Sequence, residues 1–404
     1  MKAVGLIVEY NPFHNGHAFH LHASKEASEA DVVIAVMSGN FLQRGEPALV
    51  SKWARTKMAL AGGADLVLEL PYIFAAQKAE TFANGAVSIL TAAGCDALCF
   101  GSEDGDINAF LNTLDFLHEN QSQYNHKVKA YMKTGVSYPK ALSLSFESFE
   151  GTDSLISLAK PNNILGFQYI KAIRDQKSPI KPLTVKRKNA DYHDEHFASE
   201  TIASATSIRK AIFGEDENAD KVSQYIPKPT FDQLKLYFSE YGLFHQWENY
   251  WPFLKYRLLN REAKELHEIY EVEEGIENRM LKAAVSSSSF GDFMEQIKTK
   301  RYTWTRLQRA CVHILTNTHK DEMYLPQEKA SYMRLLGMSL AGREYLNKMK
   351  SHFSLPLVSK LSSFKEKSIN LDIKAAKVYS CALSGEKQVK HLKMEFNQPP
   401  IYMK

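Results

Sequence analysis

The sequence predicts an α/β fold, a doubly wound parallel sheet followed by a mainly α-helical region. Three observations lead there. Apolar runs of strand length recur through the first hundred residues, separated by stretches of helical periodicity. Good caps and turn residues fall at the junctions between them. From about residue 215 helical periodicity dominates. The expected division is therefore 1–215 for the sheet domain and 216–404 for the helical one, and 404 residues are enough for roughly two such domains.

The first strand covers residues 2–9, and Asn11-Pro12 stops it. Gly16 allows a tight turn, and Ala18, Phe19, Leu21 and Ala23 then mark one face of a helix running to Ser28. Residues 31–38, with Val32, Val33, Ile34 and Val36, form the second strand. Ser51 caps a helix that closes at Gly62-Gly63. Residues 64–70 give a third strand, 79–92 a helix and 95–100 a fourth strand ending at Gly101. A longer helical passage over 107–176 precedes a strand at Leu183-Thr184-Val185 and a helix starting near Thr206. Uniformly apolar strands joined by helices require parallel pairing with both faces covered, through right-handed crossovers.

Composition narrows the class. With 44% hydrophobic and 24% charged residues the chain reads as a folded, water-soluble protein. No apolar run is long enough to span a bilayer, and Met1-Lys2-Ala3 leads into a strand without a signal-peptide pattern, so a cytoplasmic location and no membrane partner are expected. The cysteines, Cys95, Cys99, Cys311 and Cys381, lie scattered and read as small core residues. A net charge of +4 permits an anionic partner without requiring one.

Ligands of open parallel sheets sit beyond the carboxyl ends of the strands. The first strand delivers His14 and His17 there, flanking Gly16 at a strand-to-helix turn. Unpaired N–H groups and the positive end of a helix dipole stand beside imidazole donors, an arrangement suited to a phosphate chain. The second strand delivers the polar loop Ser38-Gly39-Asn40-Phe41-Leu42-Gln43-Arg44-Gly45-Glu46-Pro47, and the fourth delivers Gly101-Ser102-Glu103-Asp104. Taken singly, each loop is explained as a solvated turn. A second phosphate-type element, Ser204-Ala205-Thr206-Ser207-Ile208-Arg209, carries hydroxyls that suit a helix cap and an arginine whose fork of donors suits a phosphate.

Asn11-Pro12-Phe13-His14-Asn15-Gly16-His17 resembles the H-x-G-H motif of the nucleotidylyltransferase superfamily, and the Arg209 element resembles that superfamily's Ser/Thr-rich stretch ending in Ile-Arg. Residues 38–47, Pro161-Asn162-Asn163-Ile164-Leu165-Gly166, Lys186-Arg187 with Ala190-Asp191-Tyr192-His193-Asp194, and Lys300-Arg301-Tyr302-Thr303 with Arg306 and Gln308-Arg309 are similar to the bacterial tRNA(Met) cytidine acetate ligase family. That resemblance covers nearly the whole chain. It implies a Rossmann-like nucleotidyltransferase domain, ATP as co-substrate, free acetate as acyl donor, and a product acetylated on N4 of the wobble cytidine of elongator tRNA(Met). AMP and pyrophosphate would leave. His14, His17 and Arg209 would be catalytic. The ATP site would comprise Ile7, Val8, Glu9, Tyr10, Asn11, Pro12, Phe13, His14, Asn15, Gly16, His17, Ala18, Phe19 and His20. Gly101, Asn162, Arg187, Ser204 and Thr206 would complete it.

For Asn162 a helix-cap role beside Pro161 explains the residue equally well, and Arg187 also suits an ordinary surface position. No compact carboxylate cluster reads as a metal cage, so Mg2+ is expected to accompany ATP. In the helical half, Lys298, Lys300, Arg301, Tyr302, Trp304, Arg306 and Arg309 interleave cations with aromatics. Contact with RNA phosphates and stacking on unpaired anticodon bases is the expectation for Lys298, Lys300, Arg301, Tyr302, Arg306 and Arg309. Two other readings share parts of the pattern: a small-molecule adenylyltransferase, and a non-catalytic RNA-binding protein that senses ATP.

Overall fold

The computed structural model describes residues 1–152, 154–187, 201–214, 218–324 and 327–404. Residues 190–194 and the expected boundary at 215 lie outside the described residues. Strands β1 (Ala3–Val8), β2 (Val32–Ser38), β3 (Leu66–Leu70), β4 (Ala97–Ser102) and β5 (Lys181–Lys186) pair in parallel in the order β5-β4-β1-β2-β3. β2 and β3 are buried along their full length, which is why their sequences are apolar without alternation. The helices Asn15–Ser28, Lys52–Ala61 and Ala79–Ala92 follow β1, β2 and β3 as expected, and Ser51 caps the second by accepting from the Ala54 N–H at 3.3 Å.

The order of strands reverses at β1, which has β2 on one side and β4 on the other. This switch point opens a crevice at the carboxyl ends of β1 and β4. Arg55 braces the rim: buried, it donates to the carbonyls of Glu9 at 2.7 Å and Ser38 at 3.0 Å, and also to Gly39. The ends of β1 and β2 are thus fixed to one guanidinium.

The second half of the chain carries a feature absent from the sequence reading. Strand β6 (Met333–Met338) pairs antiparallel with β3, and β7 (Leu357–Val358) and β8 (Ile401–Tyr402) both pair in parallel with β6, so residues from the second half extend the sheet of the first. Apolar side chains of both halves also share continuous clusters on the two sheet faces. A buried ion network fastens this seam. Lys52 donates to Glu69 at 2.7 Å and to Glu395 at 2.8 Å, and Arg334 lies 3.2 Å from Glu69 while also pairing with Glu395. Removing one member would leave an uncompensated buried charge, at a cost of about 3–5 kcal/mol.

Candidate active site

His14 and His17 cap the helix Asn15–Ser28 reciprocally. The Gly16 N–H donates to His14 Nδ1 at 3.1 Å, and the His14 N–H donates to His17 Nδ1 at 3.3 Å. The rings stack with centroids 3.6 Å apart. Gly16 makes this possible, since a Cβ there would lie 2.9 Å from the His14 ring. With Nδ1 accepting on each ring, the hydrogen-bond pattern assigns the neutral proton to Nε2, so both imidazoles are N–H donors through Nε2.

Burial, reinforced by the Arg187 and Arg209 charges, lowers the His14 pKa to about 3. Burial followed by the charges of His14 and Arg187 sets His17 well below its ordinary value, against a smaller opposing effect of the Pro12 carbonyl. His20 falls to about 4 through burial and Arg187. All three rings are neutral at pH 7, and His14 and His17 act as dipolar donors there, not as cations.

The histidines line a cavity of about 240 Å3 at the switch point. It brings together Ile7, Val8, Glu9, Tyr10, Asn11, Phe19 and His20 of the first motif with Gly101, Asn162, Arg187, Ser204, Thr206 and Arg209, residues up to two hundred positions away. Arg209 is held by the Asn11 carbonyl at 2.9 Å and by Glu46 at 2.8 Å. Ser204 caps the helix Ala205–Ile212 through the Ser207 N–H at 3.0 Å.

Other residues of the first motif support the turn and do not line the cavity. Phe13 is fully buried in the core, Pro12 is buried, and Ala18 packs against the same apolar cluster. Asn15 donates to the carbonyls of Thr201 at 2.9 Å and Gln224 at 3.0 Å. Asn162 reaches the cavity and also donates through Nδ2 to Glu103 at 2.8 Å, while Glu103 accepts the N–H groups of Asn162 and Asn163. The carboxylate, not the asparagine, satisfies the start of the helix Pro161–Asp175.

The sequence reading did not place Phe82, Phe100, Leu165 and Tyr169 at the site, yet they form an apolar wall of the cavity. Their signal was indistinguishable from that of core residues on the same elements. Gln43 and Glu46 also line it, from the loop that Trp247 anchors by donating to the Gly45 carbonyl at 2.9 Å.

The basic stretch of the second half divides in two. Tyr302 is 5% exposed, its hydroxyl donates to the Glu273 carbonyl at 2.8 Å, and the Arg306 guanidinium covers its ring at 4.7 Å. Arg306 is also paired with Glu273 at 3.2 Å, and Arg309 is buried against Glu271 at 2.9 Å. These three serve the fold because acidic residues thirty to forty positions earlier meet them. Lys298, Lys300 and Arg301 are exposed, Arg301 on a surface ion pair with Glu274 at 3.7 Å, and so is Trp304, 40% accessible, which is the aromatic of this stretch with a free surface.

A nucleotide-binding turn built from H-x-G-H at the first crossover of a doubly wound sheet defines a nucleotidyltransferase-type ATP site, and residues 1–395 match the model of the HIGH nucleotidyl transferase family. The chain belongs to the tRNA(Met) cytidine acetate ligase family within that class. It is 50% identical over 402 residues to the tRNA(Met) cytidine acetate ligase of a Geobacillus species, covering 99% of this chain and 100% of that protein. It is 49% identical over 405 residues to the protein of the same name from Bacillus subtilis, covering 99% and 97%. Among solved structures, apo Thermotoga maritima TmcAL superimposes with a TM-score of 0.92 at 34% identity, with both chains fully covered. The same protein bound with alpha-thio ATP gives 0.90 at 33% identity, again over both full chains.

Proposed function

We propose that this chain activates free acetate with ATP and transfers the acetyl group to N4 of the wobble cytidine of elongator tRNA(Met), releasing AMP and pyrophosphate. The observation that carries the chemistry is the reciprocal histidine cap, which turns both Nε2–H groups into neutral donors at a helix N-terminus. The acyl donor and acceptor rest on the names of the relatives.

An acetate oxygen attacks the α-phosphate in line, the P–O bond to pyrophosphate breaks, and acetyl-adenylate forms. His14 and His17 donate to the oxygens on which charge accumulates. Being neutral, they act through their N–H dipoles and bring no net charge of their own. Among the described residues Arg209 gives two of its five N–H donors to Asn11 and Glu46, which leaves three for the departing pyrophosphate. The amine of cytidine then attacks the acetyl carbon and AMP departs. An anticodon cytidine is already unpaired, so little energy is spent in presenting it.

Lys298, Lys300, Arg301 and Trp304 are the residues we assign to tRNA. Mg2+ would travel with the phosphates of ATP, and no step here is routed through it; among the described residues no cluster of three or more His, Cys, Asp or Glu could hold a metal ion. We place the reaction in the cytoplasm, where tRNA is found. Among the described residues no helix is long and apolar enough to cross a membrane.

The test is incorporation of labelled acetate into elongator tRNA(Met) in the presence of ATP, followed by mapping of the label. Label on the wobble cytidine, lost when that base is replaced by uridine, supports the reading. Pyrophosphate exchange that ignores acetate, with no labelled tRNA, would instead favour a small-molecule adenylyltransferase.

A further inference from the structure

Two acidic residues line the cavity, Glu9 and Glu46, and they differ in how they are engaged. Glu46 holds Arg209. Glu9 stands just beyond the end of β1, at the centre of the rim and five residues before His14. One of its carboxylate oxygens, Oε1, accepts the Gln43 N–H at 2.8 Å. The other oxygen takes no hydrogen bond or ion pair among the described residues, and Glu9 is one of the residues that line the cavity. The charged and titratable groups around it are Glu46 and Arg44 of the loop 38–47, Arg209 of the helix Ala205–Ile212, Arg55 of the helix Lys52–Ala61 and Tyr169 of the helix Pro161–Asp175. Burial, opposed by the Gln43 N–H and reinforced by Glu46, raises its pKa above the ordinary glutamate value.

A carboxylate is a poor neighbour for a polyphosphate, so phosphate binding does not account for a glutamate at this position. The second half of the reaction does supply a use for one. A neutral amine that adds to an acyl group becomes cationic and must shed a proton before the amide is stable.

Resting on the acetate-ligase reading above, we propose that Glu9 is the catalytic base of the transfer step. The N4 lone pair attacks the acetyl carbonyl carbon, forming the C–N bond. The free Glu9 oxygen takes one N4 proton, and the bond between the acyl carbon and the phosphate oxygen breaks with its electron pair going to AMP. Glu9 then returns the proton to solvent. Gln43 fixes the carboxylate so that one oxygen is committed and the other faces the amine, and the loop that bears Gln43 is held by Trp247 of the helical half.

The experiment compares wild type with Glu9→Gln, which keeps the shape and loses the base. Two rates are measured: acetate-dependent exchange of pyrophosphate into ATP, and single-turnover transfer to tRNA from supplied acetyl-adenylate. The expected result is a transfer rate that falls about a hundredfold more than exchange does. The acid limb of the transfer pH profile disappears in the variant, and Glu9→Asp recovers part of the rate. Equal losses in both steps would assign Glu9 to ATP or to its accompanying metal, and an unaffected transfer step would assign it no role; either overturns the proposal. Wild-type exchange that does not need acetate would instead overturn the ligase reading itself.

Discussion

Gly45 and Arg309 meet backbone to backbone, so closely that a Cβ on Gly45 would lie 2.4 Å from the Arg309 nitrogen. Gly45 adopts φ +79° and belongs to the loop that lines the ATP cavity, while Arg309 belongs to the helix Trp304–Thr316, whose first residues present Trp304 beside the exposed cations. The contact joins the cavity-lining loop to the helix that carries Trp304 through one residue pair.

Gly45→Ala is expected to be disruptive on two counts, a left-handed backbone and a clash with main chain that cannot rotate away. We expect destabilisation of about 1–3 kcal/mol, read by chemical denaturation. Weakened binding of ATP should accompany it, because Gln43 and Glu46 flank the glycine.

Arg209→Ala should cut pyrophosphate exchange by about 10²–10³, the scale on which loss of one strong transition-state donor acts. Glu46→Gln removes the negative partner of Arg209 but keeps an acceptor. It should lower the KM for ATP by freeing the guanidinium for phosphate, a change that steady-state exchange assays resolve.

Acid should destabilise the free protein. His14 and His313 titrate at about 3, His20 and His391 at about 4, and His17 and His245 lie well below the ordinary value, all chiefly through burial. Between pH 6.5 and about 4 the unfolded chain takes up protons at these six rings and the folded chain does not, so stability falls as pH drops through that window. Glu9 and Asp372, the latter raised to about 7, act in the opposite direction but are fewer. Thermal unfolding midpoints measured from pH 7.5 down to 4.5 should decrease progressively, and a rise over that range would contradict the assignment of neutral buried rings.

Reversing Lys298, Lys300 and Arg301 to glutamate should weaken tRNA binding and make its dependence on salt shallower by about two in the log–log slope. Trp304→Ala should weaken binding by about 1–3 kcal/mol with the slope unchanged, as expected for lost base stacking. Titrations at several salt concentrations separate the two effects.

The first half of the fold was legible because parallel strands are buried on both faces, and β1 to β4 therefore appear as apolar runs with caps between them. β6 was not. Its sequence, Met-Arg-Leu-Leu-Gly-Met, contains an arginine that is tolerated only because Glu69 and Glu395 reach it from distant parts of the chain. The same limit applies to the basic stretch, where Glu271 decides that Arg309 faces inward and Glu273 holds the partly exposed Arg306 against the Tyr302 ring. Of the candidate site, the histidine turn and Arg209 were visible as local motifs. The apolar wall of Phe82, Phe100, Leu165 and Tyr169 was not, since periodicity cannot distinguish a side chain facing a cavity from one facing the core.

The most direct test of the central claim, carboxylate activation at the histidine cap, is exchange of labelled pyrophosphate into ATP with and without acetate, in wild type, His14→Ala and His17→Ala. The account predicts exchange that requires acetate and falls by about 10²–10³ in each variant. Exchange independent of acetate, or undiminished when either histidine is removed, would contradict it.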